Sequence, residues 1–95
     1  CKYSKLALPE YIKFKEWVDK DKKNKLDKYK IEALMIDVES DSLDKRHRKI
    51  LTHAKSMIEG YPTIIIYVGH EKQAYTYTGD RVKKEYISRL ESYAD

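Results

Sequence analysis

The spacing of apolar residues changes along the chain, and the changes mark the elements. From Lys2 to Asp19 the apolar positions recur at helical spacing, with Leu6, Ala7, Tyr11, Phe14, Trp17 and Val18 on one face. Pro9 lies inside this pattern and is expected to kink the helix, turning Ile12 inward. Leu8 fits no face of it. Lys20–Lys30 is polar and reads as a frayed helix end and a loop. Ile31–Val38 has the composition of a buried strand. Ser40–Ser42 offers N-cap chemistry for a second helix that places Leu43, His47, Ile50, Leu51, Ala54 and Met57 on one side. The most apolar stretch is Ile58–Val68. Its β-branched run from Thr63 to Val68 predicts a strand buried on both faces. Pro62 stands at the head of that run, where a missing N–H breaks no interior ladder. Gly60 permits a sharp entry, and Tyr61–Pro62 is a candidate cis peptide. Gly69-His70-Glu71-Lys72 reads as a hairpin turn. Gln73–Thr78 alternates Tyr75 and Tyr77 against Ala74 and Thr76, as an outer strand does. Gly79-Asp80 ends it, with Asp80 placed to cap a last helix that turns Val82, Tyr86, Leu90 and Tyr93 inward. The order helix, strand, helix, strand, strand, helix predicts one α/β domain over residues 1–95.

Composition narrows the function classes. Charged residues make up 38% of the chain and hydrophobic ones 41%, the balance of a hydrated globular domain. No stretch approaches the roughly 18 apolar residues of a membrane span, and no signal-peptide pattern is present. The first residue is Cys1 rather than methionine, so a processed or truncated piece of a longer chain is expected. Its localisation is not legible here. The net charge is +4, from 20 Lys+Arg against 16 Asp+Glu. Eight lysines between Lys13 and Lys30 are diluted by Glu16, Asp19, Asp21 and Asp27. That reads as a solvated face rather than a nucleic-acid surface, which would interleave cations with stacking aromatics. The nine tyrosines read as packing rather than a base-stacking platform. His47 reads as a core-edge residue and His53 and His70 as exposed, without zinc-site spacing, so no metal is expected. No phosphate loop or other cofactor motif is present.

One cysteine excludes an internal disulfide framework and leaves a lone thiol. Cys1 stands at the N-terminus of the first predicted helix, where unpaired N–H groups and the helix dipole favour an anion. Lys2 and Lys5 add positive charge, so the setting favours thiolate over thiol. Ser4, on the same side of the first turn, is placed to donate a hydrogen bond to the sulfur. On placement alone, a reactive cysteine and an inert chain end remain equal readings.

Cys1-Lys2-Tyr3-Ser4-Lys5, followed by Pro9, resembles the active-site helix of the thioredoxin family, Cys-x-x-Cys-Lys with a kinking proline four residues on. Ile58-Glu59-Gly60-Tyr61-Pro62-Thr63 is similar to that family's cis-proline loop. Asp37 and Gly79 also fall where the family has an Asp and a Gly. The likeness is nearest to thioredoxin-like domains of the protein disulfide isomerase kind and covers essentially the whole chain. It implies a thioredoxin-like fold, a central mixed β-sheet flanked by helices. It also implies Cys1 as nucleophile, assisted electrostatically by Lys5, with Ser4 as hydrogen-bond partner. Tyr61, Pro62 and Thr63 would receive a bound polypeptide, the Tyr61 backbone pairing with it as a short strand.

Two departures qualify this. Ser4 replaces the second cysteine, and a hydroxyl cannot resolve a mixed disulfide. What remains is single-thiol exchange with a polypeptide or a small thiol such as glutathione. The family also places a central strand directly before its first cysteine, between the counterparts of Ile31–Val38 and Thr63–Val68. One such strand is therefore expected upstream of residue 1. The alternative reading is a redox-inactive thioredoxin-like module, a structural or protein-interaction component of a larger assembly such as a cellular complex or a virion.

Overall fold

The computed structural model describes residues 2–21, 29–69 and 71–93. Cys1, His70 and residues 22–28, part of the stretch expected to form a frayed helix end and loop, lie outside the described residues. Helix α1 spans Lys2–Glu16, with Pro9 inside it, and passes into a π-helical turn at Trp17–Asp21. Helix α2 (Lys45–Ala54) ends in a 3₁₀ turn at Lys55–Met57. Strands β1 (Ile65–Val68) and β2 (Gln73–Thr76) form an antiparallel hairpin with Ile65 opposite Thr76 and Val68 opposite Gln73. Its turn is closed by the Glu71 N–H to the Val68 carbonyl and the Lys72 N–H to the Gly69 carbonyl, with Lys72 at φ 54°. Helix α3 (Lys83–Ser92) completes the order. The molecule is thus a mixed helix-and-strand globule.

The core is aromatic. Phe14, Val18, Ala33, Tyr77 and Tyr86 are buried together, with Tyr11, Trp17, Ile31, Ile64, Ile66, Ile87 and Leu90 packed around them. Tyr86 meets Phe14 edge-on at 5.3 Å and Tyr77 at 5.2 Å between ring centres. Tyr11 approaches the same ring at 5.9 Å. Edge-to-face packing sets positive ring edges against negative faces. It joins α1 to α3 through residues predicted to face inward on both. On α1, the predicted inward face fails at Leu6, which is 67% exposed, and Ile12 is exposed as well. The core takes the narrower stripe through Ala7, Tyr11, Phe14 and Val18.

Ile31–Val38 differs from expectation. It alternates as a strand does from Ile31 to Ala33, with Ile31 and Ala33 toward the core and Glu32 outward. Yet among the described residues no backbone group from Ile31 to Ile36 bonds to another backbone group, so no ladder is formed. Its anchor is a side chain: the Tyr11 hydroxyl donates to the Leu34 carbonyl at 2.7 Å. The caps differ too. Asp44, rather than Ser40–Ser42, caps α2, its carboxylate accepting from the His47 N–H at 2.7 Å. The two serine hydroxyls lie 3.1 Å apart and serve the preceding turn. The α3 N-cap residue is Val82, which is 38% exposed, and Asp80 makes no cap.

Candidate functional site

The α3 N-terminus is capped from another element. Glu10 of α1 accepts from the Lys83 N–H at 3.0 Å and from Lys13 Nζ at 2.8 Å. The Lys13 hydrogen bond first, and the Lys83 N–H second, hold the Glu10 carboxyl below its ordinary pKa. A carboxylate at a helix N-terminus satisfies an orphan donor and opposes the positive end of the dipole. This bond fixes the loop before α3 against the first half of α1.

That loop is tight. The Tyr77 hydroxyl donates to the Asp80 carbonyl. Gly79 lies so close over the Tyr77 ring that a Cβ there would meet the hydroxyl oxygen at 2.7 Å. Only glycine permits this approach without displacing the ring. Between the loop and α1 opens a groove of about 440 Å³, bordered by Tyr3, Leu6 and Ala7 on one side and Thr78, Gly79, Asp80 and Arg81 on the other. Tyr3 is 60% exposed, so two large apolar side chains flank the groove at the head of α1.

The expected site residues fall on two elements. Ser4, partly buried, and Lys5, exposed, lie in the first turn of α1. Among the described residues neither side chain makes a hydrogen bond or ion pair. The expected nucleophile, Cys1, lies outside the described residues. Tyr61, Pro62 and Thr63 lie in the bend before β1. The Tyr61–Pro62 peptide is cis, Tyr61 is exposed, and the Thr63 hydroxyl donates to the Gly60 carbonyl. Sequence reasoning missed Glu10, whose partner lies 73 residues away, and the groove-flanking role of Leu6. A glutamate after a helical proline carries no signal of a distant cap.

Among the described residues no group of three or more His, Cys, Asp or Glu is placed to hold a metal ion, and no helix is long and apolar enough to cross a membrane. Comparison with known proteins finds no matching family profile, curated sequence or solved structure.

Proposed function

We propose that this chain is a thioredoxin-like domain that carries out single-thiol exchange through Cys1. The observation that carries the reading is the pairing of two motifs in order. Lys2, Tyr3 and Ser4, which follow Cys1 in the sequence, open a helix that contains Pro9, and a cis Tyr61–Pro62 bend precedes an apolar strand. The finer fold follows from the same reading: one central strand pairs with the open edge of β1 on one side and with Ile31–Val38 on the other. The segment Ile31–Ile36, which makes no backbone–backbone hydrogen bond among the described residues, supports it, because it packs on the same core as β1 without forming a ladder with it.

In the exchange, the Cys1 thiolate attacks one sulfur of a polypeptide or glutathione disulfide. A Cys1–substrate disulfide forms as the other sulfur leaves as thiolate. An outside thiolate then attacks the substrate sulfur and frees Cys1 as thiolate. Lys5 favours the Cys1 anion electrostatically, Ser4 hydrogen-bonds the sulfur, and Tyr61–Thr63 pair with the substrate backbone. The groove between Tyr3, Leu6 and Thr78–Arg81 supports a polypeptide as the larger substrate.

Incubation with oxidised glutathione tests this. Wild type is expected to gain one glutathione by mass and to release it to reduced glutathione, whereas Cys1→Ser gains none. A second reading, a redox-inactive interaction module of a larger assembly, is favoured by Ser4 standing where a resolving cysteine would be. Failure of the adduct to form decides for it.

A further inference from the structure

Helix α2 distributes charge unlike the rest of the chain. From Lys45 to Ile58 there are five Lys+Arg and no acid, a charge of +5 against +4 for the whole chain, so the other residues together carry −1. Helix α1 and its π turn pair cations with acids, Lys13 with Glu10 at 2.8 Å and Lys15 with Asp19 at 3.8 Å. Helix α3 interleaves Glu85 and Glu91 with its cations. On α2 and its 3₁₀ extension, Lys45, Arg48, Lys49 and Lys55 are exposed and have no acidic partner among the described residues.

Folding gains nothing from these four unpartnered cations. Lys45 with Lys49, and Lys45 with Arg48, are like charges at the spacings that repel on a helix. Lys45 and Arg46 occupy the first turn, which holds no acid, and oppose the dipole there. The helix has no fully buried residue to offset that cost.

We propose that the cationic face of α2 is a docking surface for an acidic polypeptide segment. The face already holds one carboxylate: Arg46 grips Glu32 with both terminal guanidinium nitrogens, one of them at 3.0 Å. Forked guanidinium–carboxylate pairing is the recognition an acidic side chain offers. The other anionic surfaces fit less well. Ile50, Leu51 and Ala54 are half-buried, so α2 leaves little apolar surface exposed to enter a bilayer. No Phe, Tyr or Trp stands between Lys45 and Ile58 to stack on a base. Ten residues at about 1.5 Å each put Lys45 and Lys55 roughly 15 Å apart, the span of about five extended residues.

The test is fluorescence anisotropy with labelled hexaglutamate, and hexaglutamine as blank, at about 0.15 M salt. Hexaglutamate is expected to bind and hexaglutamine not. Joint reversal of Lys45→Glu, Arg48→Glu and Lys49→Glu is expected to weaken binding about tenfold or more. The same substitutions keep like charges at the same spacings with the sign reversed, and place acids near the helix N-terminus where the dipole favours them, so the variant is expected to melt close to wild type. Its loss of binding is then not loss of fold. The control changes net charge equally elsewhere, by Lys30→Glu, Lys72→Glu and Lys84→Glu, and is expected to bind like wild type. Equal weakening by both variants, or no binding of hexaglutamate, overturns the proposal. Tighter binding of a short DNA duplex or of phosphatidylserine vesicles overturns the choice of partner.

Discussion

Tyr86 combines a buried ring with an unsatisfied hydroxyl, and Tyr86→Phe separates the two. The residue is 4% exposed, and its hydroxyl has no hydrogen-bond partner among the described residues. The ring is held by Phe14, Tyr77 and Tyr11 at 5.2–5.9 Å between centres, and phenylalanine keeps all three contacts. Leaving a buried hydroxyl unpaired costs about 1–3 kcal/mol relative to its state in water. Tyr86→Phe is therefore expected to stabilise the domain by about 1 kcal/mol, the low end, because the buried group is neutral. For a domain of this length that raises the melting midpoint by about 4–8 °C. Burial pushes the Tyr86 pKa up to about 12, with the Tyr77 phenol the next contributor. A phenol whose folded pKa lies above its unfolded value of about 10 contributes its stability fully below that value. The contribution is lost as pH rises toward the folded value. Urea melts at neutral pH and near pH 11 read both effects. Tyr86→Phe should be the more stable protein at neutral pH and should lose less on the alkaline side. A variant less stable than wild type by about 1 kcal/mol at neutral pH would show that the hydroxyl has a partner, and would refute the reasoning.

Other substitutions test other parts of the structure. Phe14→Ala removes a buried ring that contacts Tyr11, Trp17 and Tyr86. It should cost about 3–5 kcal/mol, most of the stability of a small domain, read as lost cooperativity in a urea melt. Gly79→Ala should push the Tyr77 ring from its seat and cost about 1–3 kcal/mol by calorimetry. Adding Tyr77→Phe should recover part of that by removing the atom nearest the new Cβ. Glu10 has a lowered pKa, so its contribution is present above its unfolded pKa and lost as pH falls through the folded one. Glu10→Gln should therefore flatten the acid limb of the stability profile while changing the alkaline limb little. An unchanged acid limb would show that neither the Lys13 bond nor the Lys83 cap is made in solution.

What the sequence made legible is what periodicity encodes. The inward stripe of α1 through Tyr11, Phe14 and Val18, and Tyr86 and Leu90 on α3, lie where spacing put them. The hairpin from Ile65 to Thr76 is formed as expected, but β1 is not buried on both faces: Tyr67 is 66% exposed. Leu6 and Ile12 were misplaced because a helix on a small core buries a narrower stripe than its apolar residues span. Ile31–Val38 has strand composition, but a ladder depends on a neighbouring backbone, which a segment's own residues do not specify. The α2 cap went to Asp44 because two cap types stood within five residues and local turn bonding took the serines. The α3 cap is tertiary, supplied by Glu10 from the other end of the chain, and no local pattern announces it. At the candidate site, the Tyr61–Pro62 bend and the first turn of α1 were read from motifs, whereas the groove between α1 and Thr78–Arg81 depends on how α1 seats on α3.

The most direct test of thiol exchange is the pH dependence of Cys1 alkylation by iodoacetamide, followed by mass. A thiolate favoured by a helix N-terminus, Lys2 and Lys5 should titrate clearly below the roughly 8.5 of a free cysteine. A midpoint at or above that of free cysteine, without a glutathione adduct, would contradict single-thiol exchange at this position.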